Sequence, residues 1–93
     1  MRIAFGKVLV GYEVECGPEV TKDELENAYW TGLPGIVGHT PPVCDSVGIW
    51  KLAIYYSEEM EDNSEQLRGV FQRLVETNLN ELVRVRCVPV QGQ

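Results

Sequence analysis

A single histidine, His39, stands five residues before Cys44 and six before Asp45. Imidazole, thiol and carboxylate are the residue types of an activated nucleophile, with the imidazole as base and the carboxylate orienting it. Imidazole is also the side chain that titrates near neutrality, which suits it to acid–base work. The catalytic candidates are therefore His39, Cys44 and Asp45, with Glu13 in support. The plainer alternative is a loop histidine beside a half-buried thiol. A metal site from Cys16, His39, Cys44 and Cys87 is disfavoured, because neither Cys-x-x-Cys nor His-x₃-His spacing occurs. The acidic run Glu58–Asn63 lacks the glycine and ligand spacing of a calcium loop and reads as a solvated turn. No metal and no cofactor is expected.

These residues sit in a segment, Gly32–Gly48, that holds four of the nine glycines and three of the five prolines. Proline removes a donor and glycine opens backbone angles closed to other residues, so a helix is excluded and a central strand disfavoured. Gly32, Gly35 and Gly38 recur at intervals of three. They follow a helix, however, whereas phosphate-binding loops follow a strand and open a helix. Tyr29, Trp30 and Trp50 flank the segment and could line an apolar pocket with His39 as its polar tip. Their plainer role is packing between helix and sheet.

The flanking elements are strongly patterned. From Lys7 to Cys16, Val8, Val10, Tyr12, Val14 and Cys16 alternate with Lys7, Leu9, Gly11, Glu13 and Glu15. That period of two predicts a half-buried strand with its even face inward. Ile3 and Phe5 have the opposite parity, which predicts a bulge near Gly6. Thr21 and Glu24 form a Thr-x-x-Glu capping box, with Val20 and Leu25 as a hydrophobic staple. A short helix follows, buried through Leu25, Ala28 and Tyr29 and stopped at Gly32. Ile49–Ser57 predicts a strand with Trp50, Leu52, Ile54 and Tyr56 on one face. Asp62 or Asn63 then caps a long amphipathic helix facing inward through Leu67, Val70, Phe71, Leu74 and Val75, with Leu79 and Leu82 near its end. Arg68 and Arg73 fall off that stripe. Val83, Val85 and Cys87, alternating with Arg84 and Arg86, predict a last strand, and Pro89 suits a sheet edge.

With a short strand inside Gly35–Val43 the order becomes β-α-β-β-α-β. That is an α+β fold of ferredoxin-like type, one domain spanning residues 1–93, with both helices on one face of an antiparallel sheet. The second-strand region is irregular and lies at an edge. The outward face carries Glu13 and Glu15 between basic neighbours Lys51, Arg84 and Arg86, beside Leu9 and Tyr55. Tyr55, Arg84 and Arg86, with Tyr29, Trp30 and Trp50, are the ligand-binding candidates.

The formal net charge is −6, with acidic residues concentrated before residue 66. Such a surface repels phosphate backbones, so direct nucleic-acid binding is disfavoured. No apolar run reaches membrane-spanning length. Arg2 and Lys7 interrupt the N-terminal segment against a signal peptide, and three widely spaced cysteines suit a reducing compartment. A cytoplasmic chain is expected. In layout the chain is similar to the subunits of dimeric α+β barrels, which include small isomerases and monooxygenases; the glycine loop with arginine of acylphosphatases and the aromatic strands of RNA-recognition domains are missing. The leading expectation is a small, non-catalytic binding or interaction module. It is expected to be a homodimer, with a small molecule or another protein as a further partner, using the open sheet face or an apolar pocket beside residues 32–48. The alternatives are a small isomerase or hydrolase using His39, and an acidic protein mimicking nucleic acid.

Overall fold

Residues 8–57 and 64–89 are described by a computed structural model of the chain. Period-two alternation becomes β1 (Val8–Glu15), and the cap at Thr21 opens α1 (Lys22–Trp30). The Gly/Pro segment supplies two short strands, β2 (Ile36–His39) and β3 (Val43–Cys44), followed by β4 (Trp50–Tyr56), α2 (Ser64–Leu79) and β5 (Arg84–Val88). The architecture is α+β, with two helices and one open, antiparallel five-stranded sheet in the order β2-β4-β1-β5. β3 also pairs with β4. β1 occupies one side of β4 along its length, so β2, opposite Ile54–Tyr56, and β3, opposite Trp50 and Lys51, share the other side.

The capping box forms as expected. The Thr21 hydroxyl accepts from the Glu24 amide (3.2 Å), and the Glu24 carboxylate accepts from the Thr21 amide (2.9 Å). The inward parity of β1 and β4 is buried: Val10, Tyr12, Val14, Leu52, Ile54 and Tyr56 pack with Leu25, Tyr29, Leu67, Phe71 and Val75 from the helices. Both helices thus lie against the same face of the sheet. At the centre Tyr12 stacks on Phe71 with ring centroids 4.4 Å apart, and its hydroxyl bonds that of Tyr56 at 2.8 Å. Two buried phenols satisfy each other, so neither leaves an unpaired polar atom in the core.

Several expectations are corrected. The expected second strand is split in two. Thr40 donates its amide to the Ala53 carbonyl, and its own hydroxyl, not its carbonyl, accepts from the Ala53 amide (both 2.9 Å). That side-chain substitution ends the ladder just before Pro41 and Pro42, neither of which can donate. α1 stops before Gly32 as expected, with Thr31 as its cap, and the positive φ nearby falls at Gly35 (77°). The left-handed residue ending α2 is Asn80 (φ 59°), a residue type that tolerates it. Leu82 is not on the buried stripe but 87% exposed, because the chain has left the helix by then. Cys87 shares the parity of buried Val85 yet is exposed near the end of β5. Lys7, the predicted bulge near Gly6, the Glu58–Asn63 turn and the Asp62 or Asn63 cap lie outside the described residues.

Candidate functional site

His39 ends β2 on the helix side of the sheet, paired with Ile54, and points at α1. Its Nδ1 lies 2.9 Å from the Tyr29 hydroxyl and its Nε2 3.3 Å from the Glu26 carboxylate. A carboxylate only accepts, so the neutral ring carries its proton on Nε2 and takes the Tyr29 hydroxyl proton into a hydrogen bond at Nδ1. The Trp30 ring tilts over the imidazole at a centroid distance of 4.3 Å, and Tyr29 meets it edge-on at 5.5 Å. Burial, and secondarily the charge of Glu26, push the Tyr29 phenol well above its ordinary range, so it acts as a hydrogen-bond donor and not as a phenolate. The His39 side chain is 11% exposed and both ring nitrogens are engaged. Neither nitrogen is presented to a substrate. The cluster joins the irregular edge strand to the first helix.

Cys44 and Asp45 do not join it. Cys44 pairs with Trp50, four positions along β4 from the partner of His39, which separates the two by roughly 13 Å at strand rise. Asp45 is occupied in the β3–β4 turn: its Oδ1 accepts from the Val47 and Ile49 amides, each at 2.9 Å. Those amide bonds, the one from Ile49 first, and the Lys51 ammonium hold its carboxyl below the usual range. The expected nucleophile–base–carboxylate cluster is therefore not assembled, because the edge strand carries its members past each other instead of folding back. Among the described residues no three His, Cys, Asp or Glu side chains converge on a metal position.

The aromatic candidates divide. Trp30 and Tyr29 do gather on His39, but Trp50 packs against the core four residues away along β4. Tyr55 is on the opposite face, lying over Gly38, where a Cβ would stand 3.4 Å from its ring. Glu26 is a partner of His39 that the residue types alone do not mark, although residues 26, 29 and 30 have the i, i+3, i+4 spacing that places three side chains on one helix face.

The outward face of the sheet matches its expected charge pattern. Glu13 stands between Lys51 on β4 and Arg86 on β5; it pairs with Arg86 and lies 3.8 Å from Lys51. Lys51 also reaches Asp45 at 3.7 Å, and Arg84 reaches Glu15 at 3.8 Å. Each exposed pair contributes under about 1 kcal/mol, so the row matters less for stability than for neutralising the face. Three cations meet three carboxylates. A depression of about 290 Å³ opens here, bounded by Glu13, Glu15, Ile49, Arg84 and Arg86. A wider one of about 600 Å³ continues past Glu15 and Arg84 to the exposed side chains of Val47 and Leu82.

Both edges of the sheet are partly obstructed against strand addition, by different means. On the β2 side a register shift at Val37 and the Thr40–Pro42 interruption break the ladder. On the β5 side, Arg68, Gln72 and Glu76 run along α2 at i, i+4 spacing and are bonded to one another. They also bond the backbone at the start of β5 and just before it: Arg68 to the Val85 carbonyl (3.5 Å), Gln72 to the Val83 carbonyl (3.2 Å), and the Glu76 carboxylate to the Val83 amide (3.2 Å). Side chains of the helix thus fill backbone positions that another strand would use. No helix among the described residues is long and apolar enough to cross a membrane.

No protein-family model, no characterised protein and no solved structure matches this chain significantly.

Proposed function

We propose that the chain is a small, non-catalytic binding module that works as a homodimer, with the uncovered face of its sheet closed against the same face of a second copy. The observation that carries this is a partly apolar face whose charges balance among the described residues, on a chain of net charge −6. Two copies of an acidic chain repel one another. They approach at least electrostatic cost where the charges are balanced, here around Asp45, Lys51, Glu13, Arg86, Glu15 and Arg84. The same face brings Val43, opposite Lys51, and at its end Val47 and Leu82, all three among the exposed large apolar side chains. With both edges obstructed, association by strand addition is disfavoured, and face-to-face contact is the remaining route for the sheet.

The fold is proposed to be ferredoxin-like on related grounds. If β2 and β3 count as one edge strand interrupted at Thr40–Pro42, the chain runs β-α-β-β-α-β, the layout in which paired sheet faces enclose a cavity in dimeric α+β barrels. Four strands at about 4.8 Å spacing, with seven residues of β4 at about 3.3 Å each, give a face on the order of 400 Å² per copy. That is at the low end for a specific interface and predicts a dimer that dissociates on dilution.

Light scattering across a dilution series tests this. The expected result is twice the chain mass at high concentration, falling toward the monomer as the protein is diluted. Tyr55→Lys, which sets a cation in the middle of the face, is expected to hold the protein monomeric while circular dichroism shows it still folded. A monomer at every concentration, or a dimer indifferent to Tyr55→Lys, would overturn the proposal.

A further inference from the structure

Six lysines and arginines lie among the described residues, and five of them have a carboxylate partner: Lys22 with Glu26, Lys51 with Glu13 and Asp45, Arg68 with Glu65, Arg84 with Glu15, Arg86 with Glu13. Arg73 has none among the described residues. In a chain with fourteen carboxylates and eight lysines and arginines, a guanidinium with no anion among the described residues is conspicuous.

Its surroundings differ from those of the other five. Arg73 stands on the wall of a groove of about 310 Å³ formed with Gly32, Pro34, Val70, Leu74 and Thr77. Residues 70, 73, 74 and 77 have the i, i+3, i+4, i+7 spacing of a single helix face, so α2 supplies one wall. The turn after α1 supplies the other. The groove exists because residue 32 has no side chain: a Cβ there would stand 3.6 Å from Leu74, in ordinary contact, and larger groups would fill the space. Gly32 has no positive φ that would require glycine for the backbone. Apolar walls with one cation that lacks a carboxylate partner among the described residues, and with one hydroxyl, define a ligand with an apolar body and a single negative charge.

We propose that this groove binds a small apolar carboxylic acid, with its hydrocarbon body along Pro34, Val70 and Leu74 and its carboxylate on the Arg73 guanidinium, and with the Thr77 hydroxyl as a second donor. The volume is at the lower bound for small-molecule sites, which favours a short chain or single ring. An arginine fork matches the two oxygens of a carboxylate. The groove is on the helix layer, across the sheet from the face assigned to the second copy, so it stands whether or not the chain dimerises.

An NMR titration of the whole chain with octanoate, and in parallel with octanol, tests the proposal. Octanoate is expected to shift the amides of residues 32–34 and 70–77, and each methylene added along a series of straight-chain acids to tighten binding about two- to fourfold. Octanoate is expected to bind about two- to fivefold tighter than octanol, a preference that Arg73→Gln abolishes. Gly32→Leu is expected to abolish binding of both, with a thermal melt confirming that the variant is folded. Should Gly32→Leu fail to fold, the acid-over-alcohol preference in the wild type and Arg73→Gln decides alone. Shifts confined to other residues, or equal affinity for octanoate and octanol in the wild type, would overturn the proposal.

Discussion

Tyr12 and Tyr56 show how a polar group is carried in the core of a chain this short. Each phenol is fully buried, and each is the other's hydrogen-bond partner. Burial first, and the mutual hydrogen bond second, push Tyr12 far above its ordinary range. Burial raises Tyr56 to about 12 although its bond to Tyr12 opposes the shift. Removing one hydroxyl leaves the other unsatisfied, so Tyr12→Phe or Tyr56→Phe alone is expected to cost about 1–3 kcal/mol in urea denaturation. The double variant should recover most of that loss, because no polar atom is then stranded; a strictly additive double variant would contradict this account. Asp45 makes a different prediction. Its carboxyl is held below the ordinary value of 3.8, so the charged form favours the folded state. That contribution is complete above the ordinary value and is lost as pH falls through it toward the lowered one. Asp45→Asn, which keeps the amide acceptor but not the charge, is expected to flatten this part of the pH–stability curve below about pH 4.

At the scale of elements, the α2 residues that seem idle in a helical wheel turn out to be joined to the sheet edge. Arg68 falls off the apolar stripe, as the periodicity indicates, yet it lies along β5 together with Gln72 and Glu76. Periodicity separates the buried face of a helix from the rest; it does not show that a flanking row borders a strand. Gln72→Ala removes the donor to Val83 and the link between Arg68 and Glu76. A loss of about 1 kcal/mol in stability is expected, with larger assemblies appearing by light scattering as the β5 edge becomes accessible. Unchanged stability and mass would mean that the row is ornamental. The His39 cluster operates on the opposite side, tying β2 to α1 through Glu26, Tyr29 and Trp30.

The whole molecule presents one covered and one uncovered sheet face, and its charge is distributed unevenly between them. If the neutral face joins two copies, the remaining surfaces of each stay strongly acidic and repel. Salt screens that long-range repulsion over a Debye length of about 10 Å at 0.1 M, while apolar contact is little affected. Dimerisation is therefore expected to tighten as salt rises, read as a shift of the dissociation midpoint in the dilution series. A midpoint that moves the other way would mean that the charged row itself, and not balanced charge around an apolar contact, holds the copies together.

Alternation in β1 and β4, the Thr21 capping box and the stripe Leu67–Val75 determined by themselves the main strands, both helices and the inward parity, because those signals arise from neighbours in the chain and from the need to bury apolar side chains. They also placed Glu13 between Lys51 and Arg86, since a parity and a strand order suffice for that. They did not determine what His39 would meet. Five residues of sequence separate it from Cys44, but that stretch runs along one edge of β4 and keeps them apart, while Glu26, thirteen residues earlier, arrives from the helix above. Only the tertiary structure could decide this, because the partners of a side chain are chosen by how elements pack, and sequence distance along an extended strand is distance in space.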